Sequence, residues 1–222
     1  GCMISTRGRP RARIGRDDGA AVPAACGRRT PQIRRCCHPL PVPRPHPRLD
    51  GDLATLDTQL SRLARSQGGV ATAVQARGLG ASDADIRTLL RSGWWERMRR
   101  GVYRDRRFRW PGEFRELSAQ TAAAVVALTG HVYASGPCCA GLLDLPLPPH
   151  YEPDVEITRK APCHGNPPAG VRVHVARIDE DAVTHRHGIP LLGGAAVVAD
   201  CARQLSGPDA LAIADGALRR GL

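Results

Sequence analysis

The chain has 222 residues, of which 42% are apolar and only 4% aromatic, and it carries a formal net charge of +11. That length buries one good core or two small ones built from Ala, Val and Leu, and the charge favours a polyanionic partner. No apolar run is long enough to span a bilayer, no continuous apolar segment follows the Arg-rich start to make a secretory signal, and the eight cysteines lack the spacing of a disulfide framework, so a reducing cytoplasm is expected.

The charge is uneven. Residues 1–50 carry eleven Arg against Asp17, Asp18 and Asp50, residues 51–110 carry twelve Arg against six acids, and residues 111–222 are net acidic. A nucleic-acid partner is therefore expected of the first half alone. Residues 1–52 are rich in Arg, Pro, Gly and Ala without a period of 2 or 3.6, and PLPVPRPHPRLD (39–50) favours polyproline II. This tail predicts disorder. Its Cys26, Cys36, Cys37 and His38 lack the C-x-x-C spacing of a zinc finger, and no metal or other cofactor is expected.

Leu56, Leu60 and Leu63 recur at helical spacing over residues 54–66, and Gly68-Gly69 stops that helix. Thr72 caps a second short helix reaching about Arg77, and Gly78 and Gly80 make a turn. Ser82 caps a third helix, with Asp83 and Asp85 at its positive end and Ile86, Leu89 and Leu90 as its apolar stripe. Gly93 ends it. Trp94 to Met98 reads as a strand, Arg100-Gly101 as a turn and Val102-Tyr103 as the return. Three short helices and a hairpin predict a winged helix-turn-helix over residues 53–106.

Arg104 to Trp110 reads as a basic connector. Pro111 opens a helix to about Leu128, HVYAS is a short strand, and residues 137–145 form a helix leading into the loop LPLPPH. DVEIT and VRVHVARI alternate as strands around a Gly/Pro-rich loop. GIPLLGG reads as a turn, and residues 195–205 and 208–221 as amphipathic helices. Residues 111–222 thus predict a small mixed α+β domain, which makes the chain α+β as a whole.

The residues expected to meet double-stranded DNA lie in SDADIRTLLRSGWWERMRRGVY (82–103). Arg87 and Arg91 are four apart and share one face of the third helix, with Thr88 beside them. They suit phosphates or base edges, against the plainer alternative of a solvated face. Thr72 and Ser82, heading the two helices of the helix-turn-helix, are assigned with them. In a regular hairpin Arg97 and Arg99 point to one face and Met98 to the other, so with the turn residue Arg100 they make a phosphate clamp. The alternative is a solubilising edge hairpin. One of Trp94 and Trp95 is expected in the core, together with Tyr103.

The order QGGV, SDADIRTLLRSGWWERMRRGVY, YAS, LLDLPLPP, VRVHVARI, HGIP and VVADCARQLSGPDALAIADGALRRG resembles the AbiEi-type antitoxins of type IV toxin–antitoxin systems, over roughly residues 53–222. The resemblance implies a winged helix that binds promoter DNA and represses its own operon. It also implies a second domain with antitoxin activity against a nucleotidyltransferase-like toxin. Related chains carry a polar His-Arg-Ser-Ala run where this one has Gly136-Pro137-Cys138-Cys139-Ala140. Similar chains also continue into a Vsr-like endonuclease domain, whereas this sequence ends at Leu222, so a DNA-docking remnant of such a nuclease is the alternative. No enzyme activity is expected: there is no G-x-S-x-G, Walker A or Rossmann run, and no paired acid or nucleophile motif accompanies His174, His185 or His187. Asp179, Glu180 and Asp181 read as a solvated turn, with a surface for a basic toxin as the sharper alternative.

Overall fold

The computed structural model describes residues 50–148, 154–162 and 169–222. The expected disordered tail lies, through residue 49, outside the described residues, and so does the cysteine and histidine set within it. The first helix, α1 (Gly51–Arg65), turns Leu56, Leu60 and Ala64 inward together with Asp57 and Ser61. A short strand β1 (Val70–Thr72) follows, a strand that helical and alternating periodicity had not marked. Thr72 then caps α2 (Ala73–Gly78), accepting from the Gln75 amide while Gln75 reaches back to the Thr72 amide. Ser82 and Asp85 make the same reciprocal box at the start of α3 (Asp83–Arg91). Each box satisfies amides that a helix start leaves without a partner. Gly93 takes φ +78° after the last turn, a conformation that residues with a Cβ resist, and the chain reverses into β2 (Trp95–Arg99) and β3 (Val102–Asp105).

These strands form an antiparallel sheet in the order β1-β3-β2. One face, with Ala71, Trp95 and Tyr103, closes on Leu60, Ile86 and Leu89 of the helices. The other face supplies Val70 and Val102 to the larger core, and Met98 packs there too. That larger core is centred on α4 (Arg115–Val126), whose residues Ala119 and Thr121 through Val125 are buried. Beyond its polar first turn, where Arg115 and Glu116 are exposed, α4 is covered on several sides, touching β1 and β3 as well as the second sheet. The expected helix opening at Pro111 starts four residues later, at Arg115.

The second sheet runs through β4 (Val132–Ala134), then α5 (Pro137–Leu142), β5 (Val155–Lys160), β6 (Val171–Ala176), a 3-10 turn at Glu180–Ala182, β7 (Val183–Arg186) and β8 (Ile189–Leu192). Two helices, α6 (Gly194–Gln204) and α7 (Gly207–Arg219), complete it. Strand order is β6-β5-β4-β8-β7, with β5·β6 and β4·β8 parallel and the remaining pairs antiparallel. The architecture is α+β, as the element order predicts. GIPLLGG, read as a turn, is instead the strand β8. His187 (φ +49°) and Gly188 (φ +77°) form the two-residue turn before it, the geometry that suits a tight hairpin. No helix among the described residues is long and apolar enough to cross a membrane.

Arg104 to Trp110 is a packed joint rather than a connector. Trp110 is buried and its indole N–H donates to the Gly68 carbonyl at 3.0 Å. Phe108 and Trp110 meet edge to face and both abut His187. Arg104 bridges Glu96 on β2 and Glu116 on α4, at 2.8 Å each.

Candidate nucleic-acid interface

Burying Ile86 and Leu89 fixes which way α3 faces. Arg87 and Arg91 are left on its exposed side, with no ion-pair partner among the described residues. Thr88 is half-buried; its hydroxyl donates to the Ala84 carbonyl at 3.0 Å and accepts from Arg91 Nη2 at 3.0 Å. The hydroxyls of Thr72 and Ser82 are both engaged in the capping boxes, so these residues set where α2 and α3 begin. Asp85, within its box, has its carboxyl held below the usual carboxylate range by the hydrogen bonds from Ser82.

The hairpin departs from regular alternation. Arg97 pairs with Tyr103 and Arg99 with Val102, with a register shift between them. Directly opposed residues share a face of a sheet. Arg97 therefore lies on the Tyr103 face and Arg99 on the Val102 face, and the expected same-face pair does not exist. A bulge re-aims side chains in this way. Arg97 and Arg100 are exposed and without an ion-pair partner among the described residues. Arg99 is half-buried, its Nε is enclosed without a hydrogen bond, and burial pushes its guanidinium pKa down. The free cationic surface of the hairpin is thus Arg97 and Arg100.

Trp95 is the core tryptophan, 3% exposed, and Tyr103 is buried with it. Trp94 is half-buried beneath the Arg107 guanidinium, which lies 4.6 Å from its ring centre. Behind these two residues is a polar network that sequence periodicity had not revealed. Arg107 donates to both oxygens of Asp57, at 2.7 and 3.0 Å, and through Nε to Asp105 Oδ1 at 2.7 Å. Trp95 Nε1 donates to Asp57 Oδ1 at 2.6 Å, and the Ser61 hydroxyl donates to Asp105. Burial opposes the charge on Arg107, but the bonds it donates to Asp57 and Asp105 outweigh that and hold its pKa above the ordinary arginine value. The signal was present as Asp57 and Ser61, four apart beside the apolar stripe of α1.

In the second unit, His174 does have an acid partner: its Nε2 lies 3.4 Å from Glu156 Oε2. Arg172 and Gln204 also donate to Glu156, at 2.8 and 3.0 Å, so this buried carboxylate joins β5, β6 and α6. Glu180, from the acidic turn, pairs with Lys160. Cys138, Cys139 and Cys201 are buried free thiols, and no group of three or more potential metal ligands occurs among the described residues. No curated protein matches the chain. Residues 59–104, from the middle of α1 to the third residue of β3, match the family model described as transcriptional regulator, AbiEi antitoxin.

Proposed function

We propose that this protein is a DNA-binding regulator that represses its own promoter and serves as the antitoxin of a type IV toxin–antitoxin system. The observation that carries the DNA-binding half is the pairing of a capped α3, with Arg87 and Arg91 outward, and a hairpin that leaves Arg97 and Arg100 exposed and unpaired. α3 enters the major groove with Arg87, Thr88 and Arg91 near base edges or phosphates, and the wing holds phosphates through Arg97 and Arg100. Arg99 supports the wing from its inner face, and Thr72 and Ser82 fix the two helices from which the contacts are made. The mechanism is occupancy of the promoter, without chemistry on the DNA. The family description supports the regulatory role. The remaining unit supplies the surface for a nucleotidyltransferase-like toxin.

The test is a titration of the protein against a duplex of the DNA upstream of its own reading frame, beside a scrambled duplex. The reading expects tighter binding to the upstream duplex and loss of that preference in Arg87→Ala/Arg91→Ala. Equal affinity for both duplexes removes the repressor assignment. Co-expression with the neighbouring toxin reading frame tests the antitoxin half, with restored growth as the expected result.

A further inference from the structure

Beside the Asp57–Arg107 network the surface opens into a cleft of about 330 Å³, lined by Asp57, Thr58, Ser61, Arg62, Arg65 and Arg107. We infer that this cleft is a second phosphate site, separate from α3 and the wing, that takes a backbone phosphate of the DNA flanking the groove contact. The inference rests on the DNA-binding reading above.

The acids in and under the cleft are already committed. Both oxygens of Asp57 accept from Arg107, one of them also from Trp95, and Asp105 accepts from Arg107 and Ser61. Arg62 and Arg65 are exposed on the last turns of α1, with no ion-pair partner among the described residues. Arg107 is clamped between Asp57 and Asp105 and rests on Trp94, yet it uses three of the five N–H groups a guanidinium carries. A fixed guanidinium with donors to spare loses little side-chain freedom on binding an oxyanion. The exposed Arg62 and Arg65 stand beside it, while the Thr58 hydroxyl is already donated to the Ala54 carbonyl.

The cleft's form bears on the source of the phosphate. Sites for small molecules are enclosed; this one is open and edged by Arg62, Arg65 and Arg107, which suits a phosphate carried on a polymer. Arg107 stacks on Trp94, the residue after the glycine that ends α3, so the cleft adjoins the C-terminal end of α3 and the base of the hairpin, the end away from the Arg100–Gly101 turn.

The experiment measures duplex affinity against salt for the wild type, Arg62→Ala/Arg65→Ala and Arg62→Lys/Arg65→Lys. Arg177→Ala/Arg186→Ala removes the same charge from the second unit as a control. Losing one phosphate contact flattens the slope of log affinity against log salt by about 0.9. The site predicts that flattening in the alanine pair, its recovery in the lysine pair and none in the control. Because Asp57 and Arg107 are untouched, the melting temperature stays at the wild-type value. A wild-type slope in the alanine pair overturns the cleft and leaves the wing reading standing. Wild-type protein that binds no duplex overturns both. Stabilisation by inorganic pyrophosphate that the alanine pair abolishes, with the DNA slope unchanged, assigns the cleft to a free anion and overturns the inference as stated.

Discussion

Trp95 and Asp57, thirty-eight residues apart, are joined by an indole-to-carboxylate hydrogen bond of 2.6 Å with both side chains buried. That bond ties the first strand of the wing to the first helix. Arg107 closes the same carboxylate from the far side at 2.7 Å. The orientation of the wing relative to the helices is therefore set by a polar network as well as by apolar packing.

Removing Asp57 leaves Arg107 paired with Asp105 alone and the buried Trp95 N–H without its acceptor, and a buried donor left unmet costs about 1–3 kcal/mol. Asp57→Ala is expected to destabilise the protein by about that amount, since it removes two of the bonds Arg107 donates and the acceptor of the Trp95 N–H. Urea denaturation checks it. Trp95→Phe, which keeps the ion pair and most of the volume, should cost clearly less.

Ser82→Ala removes the oxygen that accepts from the Asp85 amide. Loss of an N-cap costs about 1 kcal/mol, measured by the same denaturation. The Asp85 carboxyl is held below its ordinary value, so its contribution is present above the normal aspartate range and is lost as pH falls through the lowered value. Asp85→Asn should remove that part of the acid-side loss.

Gly188 sits against the Ser66 backbone, where an added Cβ would fall inside the Ser66 carbonyl oxygen, and its φ is +77°. Gly188→Ala should therefore destabilise by at least about 2 kcal/mol, read as a lowered thermal midpoint. The β7–β8 turn would be the segment displaced from the α1–β1 corner.

Burial pushes the Cys138 thiol up to about 11 and the Cys201 thiol up to about 12. Folding thus favours the neutral thiols. Their stabilisation is complete below the unfolded value of about 8.5 and is lost as pH rises towards 11 and 12, because the unfolded chain gives up these protons first. Iodoacetamide at mildly alkaline pH should leave the peptides containing Cys138, Cys139 and Cys201 unmodified in native protein and label them in urea, as peptide mapping by mass spectrometry would show.

Three short helices and the hairpin were legible because their signals are local. Thr72 and Ser82 with their third-residue partners mark the helix starts, and Gly93 marks the stop. What escaped depends on contacts distant in sequence. Val70 to Thr72 is too short for a period and becomes a strand only by pairing with β3. Ile189 to Leu192 contains Pro190, which reads as a breaker, yet it lies between β4 and β7. The basic run from Arg104 to Arg109 hid Phe108 and Trp110, which pack inward. The bulge between Arg97 and Arg99 is a property of register, so alternation placed Arg99 on the wrong face. The candidate site was legible in Arg87, Arg91, Arg97 and Arg100. The Asp57–Arg107 clamp beneath it required the fold.

The most direct measurement of the central claim is the salt dependence of duplex binding for Arg97→Ala/Arg100→Ala beside the wild type. With each wing arginine on a phosphate, the slope of log affinity against log salt should flatten by about 0.9 per lost contact, at an unchanged melting temperature. A double variant that keeps both the wild-type slope and the wild-type affinity would contradict a DNA-binding wing.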